Sequence, residues 1–88
     1  MLTLVWKKYE RGSWELFRAD TAESLGHCYR TRPGEFIATF PRHNMTAQAK
    51  TSARARGLLN KVIDKRSIGL FGEDDVVFTE DRRADIQR

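Results

Sequence analysis

The stretch Met45-Thr-Ala-Gln-Ala-Lys-Thr-Ser-Ala-Arg-Ala-Arg-Gly-Leu-Leu-Asn-Lys-Val-Ile-Asp-Lys65 decides the fold. It lacks proline and is dense in helix formers, among them Ala47, Ala49, Ala53, Ala55, Leu58 and Leu59. It predicts one long helix over 45–65, with Asn44 or Thr46 as the N-cap. At about 100° per residue, Ala55, Leu59, Val62 and Ile63 gather on one side, joined by Met45. Such a stripe needs a sheet to cover it. Gly57 falls mid-helix and costs about 1 kcal/mol relative to alanine. Lys65 and Arg66 suit the negative end of the helix dipole, and Gly69 and Gly72 mark the exit.

Upstream, the period changes from helical to strand-like. Residues 2–9 are rich in β-branched and aromatic types and read as a strand. Glu10-Arg11-Gly12-Ser13 is a turn, and 14–18 is the return strand of a hairpin. Asp20 to Ser24 reads as a tight bend or a single helical turn. A third strand follows over 25–31. Arg32-Pro33-Gly34 is a type II turn signal, and 35–40 is a fourth strand, ended by Pro41. Downstream of the helix, Val76-Val-Phe-Thr-Glu80 reads as a last strand. The expected fold is therefore α+β. An antiparallel sheet of four to five strands carries one long helix on one face, in the order β-β-β-β-α-β. Residues 1–80 form the single domain, and 81–88 a flexible charged tail. Trp6, Trp14, Phe17, Phe36, Phe40, Leu59, Val62 and Ile63 are the candidates for the core.

The chain has 88 residues, of which 40% are hydrophobic and 32% charged, a globular mix for one small domain. No apolar run approaches the ~20 residues of a membrane span. Lys7 and Lys8 interrupt any secretory h-region, and Cys28 is the lone cysteine, so the expected location is the cytoplasm. The net charge of +4 is unevenly placed. Residues 1–66 hold thirteen Lys/Arg against six Asp/Glu, a net +7. Residues 67–88 hold three against six, a net −3. A basic body steers polyanions.

On a helix over 45–65, Lys50, Arg54, Lys61 and Lys65 fall within about 60° of one another, with Gly57 among them. The row spans ~22 Å along the axis and includes no carboxylate. It suits phosphate contacts, and equally an ordinary solvated helix face. A second basic group lies on the hairpins: Lys7, Lys8, Arg11, Arg18, Arg30 and Arg32, interleaved with Tyr9, Trp14 and Tyr29. From the two groups, the candidate binding residues are Lys50, Arg54, Lys61, Lys65, Lys7, Arg30 and Arg32.

Motifs for chemistry are sparse. His27 and Cys28 are adjacent in a strand and point to opposite faces, and His43 stands apart, so no zinc site is expected. Glu73-Asp74-Asp75 lacks calcium-loop spacing, and no glycine-rich phosphate loop or nucleophile pair occurs. The one enzymatic combination worth stating is ribonuclease-like, with Glu35 as acid, His43 as base and Arg42 as phosphate clamp. The stronger expectation is no catalysis and no cofactor.

The Gly12-Ser13-Trp14 turn and the strand-to-helix order around 36–55 resemble, in layout, the small sheet-reading DNA-binding domains at the front of some integrases. The likeness covers less than half the chain and assigns no residue roles. The expected function is a non-enzymatic regulatory protein that docks a basic helix face on DNA, RNA or another polyanion. The alternative is a protein-interaction inhibitor of a larger nucleoprotein complex, of the kind carried by phages and mobile elements, such as anti-CRISPR proteins. A third option is a purely structural subunit, with Cys28 and an edge strand at 76–80 supporting a homodimer; the expected state is a monomer or a homodimer.

Overall fold

The computed structural model describes residues 1–9 and 11–86, with side chains to Arg82. Six strands form one sheet. They are β1 (Leu2–Tyr9), β2 (Trp14–Arg18), β3 (Ser24–Arg32), β4 (Glu35–Phe40), β5 (Met45–Ala49) and β6 (Val76–Ile86). Two helices, α1 (Ser52–Lys65) and α2 (Ser67–Phe71), lie between β5 and β6. The spatial order is β5-β4-β3-β2-β1-β6. The expected α+β class and the four leading strands are present. The strand count and the helix start differ from expectation.

The first difference is at 45–49, which was expected to begin the helix. This segment pairs antiparallel with β4, from Phe40 opposite Met45 to Phe36 opposite Ala49. Its pattern has period two: Met45 is buried and Ala47 and Ala49 half-buried, while Thr46 and Gln48 are exposed. Alanine favours helices, yet here it is needed for its small size next to a packed helix. Asn44 does not cap a helix. It takes a left-handed conformation (φ 54°) that closes a 3-10 turn over Pro41–His43. The true cap is Thr51, whose hydroxyl accepts the Arg54 N–H at 3.2 Å.

The second difference is at the far edge, where β6 runs parallel to β1, with Leu2 opposite Val76 through Lys7 opposite Asp81. The rest of the sheet is antiparallel. α1 starts where β5 ends and carries the chain back along the sheet. α2 then turns it, and Gly72 ends α2 in the left-handed region (φ 70°). Gly69 thus lies inside a second helix rather than at an exit. The Leu2 N–H donates to the Asp75 carbonyl at 2.9 Å, so β6 enters beside the start of β1 and must run with it. The strand continues past position 80 to Ile86, which places 81–86 in the sheet rather than in a tail. Residues 87 and 88, and Glu10 in the first turn, lie outside the described residues.

Packing divides the helix-bearing face in two. α1 lies over β3, β4 and β5. Beneath it the strands present small residues: Gly26, Cys28, Ala38, Ala47 and Ala49. Ala55, Leu59 and Ile63 meet them from the helix, all fully buried. Beyond the helix, β1, β2 and β6 close the face with large side chains: Leu4, Trp6, Leu16 and Phe78. Trp6 is fully buried, and its indole N–H donates to Asn60 Oδ1 at 2.9 Å, tying α1 to the strands it does not cover. Phe40, Trp14, Trp6, Leu59 and Ile63 are core, as their sequence pattern indicates. Phe17 and Phe36 are only half-buried, and Val62 is 38% exposed. The buried arc of α1 is rotated away from Val62 and takes in Arg56 instead.

Gly26 of β3 lies against the backbone of β4: a Cβ there would run into the Thr39 carbonyl oxygen. That neighbour is backbone and cannot rotate away. Gly26→Ala should therefore cost at least about 2 kcal/mol, toward the upper part of the overpacking range, as measured by urea denaturation. Gly57→Ala, which meets nothing nearby, should be neutral or stabilising.

Candidate functional site: a basic cleft at one end of the sheet

The strand directions collect charge at the two ends of the molecule. The β1–β2 turn, the β3–β4 turn, the β5–α1 connection and the later half of β6 all lie at one end. They bring Lys8, Arg11, Arg30, Arg32, Lys50, Arg54 and Arg82 there. The opposite end holds the β2–β3 turn, the end of α1 and the connection into β6, where Asp20, Glu23, Glu73, Asp74 and Asp75 are offset by Arg18, Arg42, Lys65 and Arg66. Arg18 feels the acids there. Its hydrogen bond to Asp20 raises its pKa, and Glu23 and Glu73 reinforce the effect, while the same bond lowers that of Asp20.

α1 begins at Ser52, so the last row of the inner face at the basic end stays uncovered. A cleft of about 690 Å³ opens there. Its lining is Lys8, Arg11, Gly12, Ser13, Trp14, Tyr29, Arg30, Phe36, Ser52, Arg56 and Arg82. Five of these are cations, and none of the described lining residues is a carboxylate. The register explains the gathering: Lys8 stands opposite Trp14, Trp14 opposite Cys28, and Arg30 opposite Phe36, on three neighbouring strand pairs. The start of α1 adds its dipole, with no acidic residue in its first turn.

The floor is built around Arg56, which is 3% exposed. Its guanidinium lies 3.7 Å from the Trp14 ring centroid. Its Nε donates to Ser52 Oγ at 3.2 Å, and Nη1 pairs with the Glu80 carboxylate. The other Glu80 oxygen lies 3.5 Å from Arg82. Stacking, hydrogen bonding and ion pairing thus hold the planar guanidinium in one orientation. Cys28 lies behind Ser52, with Sγ 3.6 Å from its hydroxyl. Burial pushes the Cys28 thiol up, which keeps it protonated and unsuited to nucleophilic work.

The expected binding residues are dispersed by this geometry. Arg30 lines the cleft, and Lys50 and Arg54 are exposed at its end of the molecule. Lys50 is in the bend before α1, so the four-residue helical row does not form as one stripe. Lys61 and Lys65 are exposed farther along α1, toward the opposite end, and exposed Asp64 lies beside them on the helix surface. Lys7 is on the other face of the sheet, with Nζ 5.1 Å from the Phe17 ring centroid. Arg32 is paired with Glu35 at 3.2 Å, and hydrogen bonds from Thr31 and Arg32 hold the Glu35 carboxyl below its ordinary range. Arg56 and Arg82 were not among the candidates. A helical projection places Arg56 only about 20° from Ile63, and that was the available signal. Nothing local marked Arg82, which the parallel pairing of β6 delivers.

The ribonuclease-like trio is not assembled. Glu35 begins β4 at the basic end, whereas Arg42 and His43 follow its far end. Arg42 pairs with Glu23 at 3.1 Å, and His43 stacks edge-on against Phe40. Among the described residues no group of His, Cys, Asp and Glu is arranged to hold a metal ion, and no helix is long and apolar enough to cross a membrane. No protein-family model matches the chain, and neither the curated proteins nor the solved structures contain a match to it.

Glu80 is 38% exposed, so water shares in balancing Arg56 once the carboxylate is gone. Glu80→Gln should cost roughly 2 kcal/mol, below the range for a fully buried pair. Arg56→Met should cost a similar amount through lost stacking on Trp14. The double variant should lose at least about 1 kcal/mol less than the sum, measured as a denaturation cycle. Additive losses would mean that the pair is not coupled.

Proposed function

We propose that this protein is a small, non-enzymatic binding protein that docks its basic end on nucleic acid. The observation that carries the reading is the convergence of Lys8, Arg11, Arg30, Lys50, Arg54 and Arg82 on one end of a molecule whose other end mixes acids with Arg18, Arg42, Lys65 and Arg66. Such a concentration of positive charge at one end orients the protein as it approaches a polyanion. The docking surface is thus the end of the sheet with the start of α1, and the length of the helix is not part of it. Lys61 and Lys65 fall outside it.

The alternative reading, a protein-interaction inhibitor of a larger nucleoprotein complex, finds support in one feature. β6 is an edge strand of eleven residues whose outer backbone edge has no strand paired to it among the described residues. A pull-down treated with nuclease separates the readings, because a protein partner is retained after the nucleic acid is destroyed.

If the six cations each neutralise one phosphate, the logarithm of the binding constant should fall with that of salt with a slope of about −4 to −5. Reversing Lys50 and Arg54 to glutamate should flatten the slope by about 1.5 and weaken binding, whereas reversing Lys61 and Lys65 should do neither. Fluorescence anisotropy of a labelled oligonucleotide across a salt series measures both. Absence of binding at low salt, or indifference to salt, would refute the proposal.

A further inference from the structure

We infer that the basic cleft receives a single strand of nucleic acid and discriminates against a duplex. The inference rests on the nucleic-acid reading above and goes further by naming the form of the ligand. Its basis is where the cations stand. Lys50 and Arg54 are exposed outside the cleft and Arg11 is exposed at its rim, where any polyanionic surface can touch them. Lys8, Arg30 and Arg82 line a concavity on the inner face of the sheet, between the first hairpin and the start of α1. A duplex carries its phosphates on a stiff, convex surface and meets the rim alone. A single strand is thin and flexible, and it can lower a phosphate and its base into the cleft.

Size and lining agree with this. The cleft, at about 690 Å³, falls in the range that encloses a ligand of mononucleotide scale. Phe36 is half-buried in its wall and offers an apolar face for a base. Trp14 does not serve as a stacking platform. It is 5% exposed, and Arg56 already covers its ring. Trp14 instead fixes the cation on the floor. That cation is partly neutralised by Glu80, which leaves Lys8 and Arg30 on the wall without an ion pair among the described residues.

The test compares a labelled single strand of roughly a dozen nucleotides, as DNA and as RNA, with the duplex of the same sequence. Binding is read at low salt by anisotropy and by the fluorescence of Trp14 and Trp6. The expected result is that a single strand binds at least about tenfold more tightly than the duplex and alters tryptophan emission. The double variant K8E/R30E, both positions outside the core, should lose that preference, while K61E/K65E should keep it. Circular dichroism verifies that the variants fold. Equal or tighter duplex binding would overturn the inference and leave the nucleic-acid reading standing. So would a single-strand preference that K8E/R30E leaves intact. Absence of binding to every oligonucleotide would overturn both. The comparison of single strand with duplex uses the unaltered protein, so it holds even if a variant misfolds.

Discussion

Six strands at ~4.8 Å spacing make a sheet about 24 Å wide, and one helix ~10 Å across covers less than half of one face. Much of the structure follows from that shortage of cover. Where α1 crosses the middle of β3, β4 and β5, these strands carry glycine, cysteine and alanine, so that the helix can approach closely, and the larger Phe40 and Met45 pair toward the far end. Where it does not, Trp6, Leu4, Leu16 and Phe78 fill the volume, with Leu70 and Phe71 of the short α2 packed against the cluster. The Trp6–Asn60 hydrogen bond and the Arg56–Glu80 ion pair then fasten the helix to the strands beside it.

The same shortage creates the cleft. A helix that begins at Ser52 stops short of the basic end of the inner face, where Lys8 pairs with Trp14 in one row and Arg30 with Phe36 in the next. Arginine is suited to the border between such a cleft and a core. Its flat guanidinium stacks on Trp14 as an apolar ring would, while its N–H groups still find Ser52 and Glu80. A lysine there would lose both the stacking and the fixed orientation. The positive end of α1 and the cationic lining reinforce each other, because both belong to the same end of the sheet.

Much of the fold was legible in the sequence. The first four strands were readable because turn signals punctuate them: Gly12 and Gly34 both take positive φ where the turns need it. The late helix was readable from Leu59, Ile63 and the absence of proline. Its first seven residues were misread because alanine is a helix former in isolation, whereas Ala47 and Ala49 are small residues under a helix, paired to Ala38 and Phe36. Charge was harder to read. Lys50, Arg54, Lys61 and Lys65 form one row only on a single helix over 45–65, and α1 begins at Ser52, after Lys50.

Local pattern, charge count and turn chemistry by themselves determined that this chain is a single α+β domain with hairpins first and a helix late. They also determined that it is basic in its body and acidic toward its end. Those properties depend on residues near one another in the chain, where spacing alone tells which side chains share a face. Tertiary structure alone decided that β6 crosses to the far edge and runs parallel to β1, bringing Glu80 to Arg56 and Arg82 to the cleft. It also decided which cations meet. Lys8, Arg30, Arg56 and Arg82 come from four different elements, and their convergence is set by sheet order and strand direction, which no local stretch of sequence encodes.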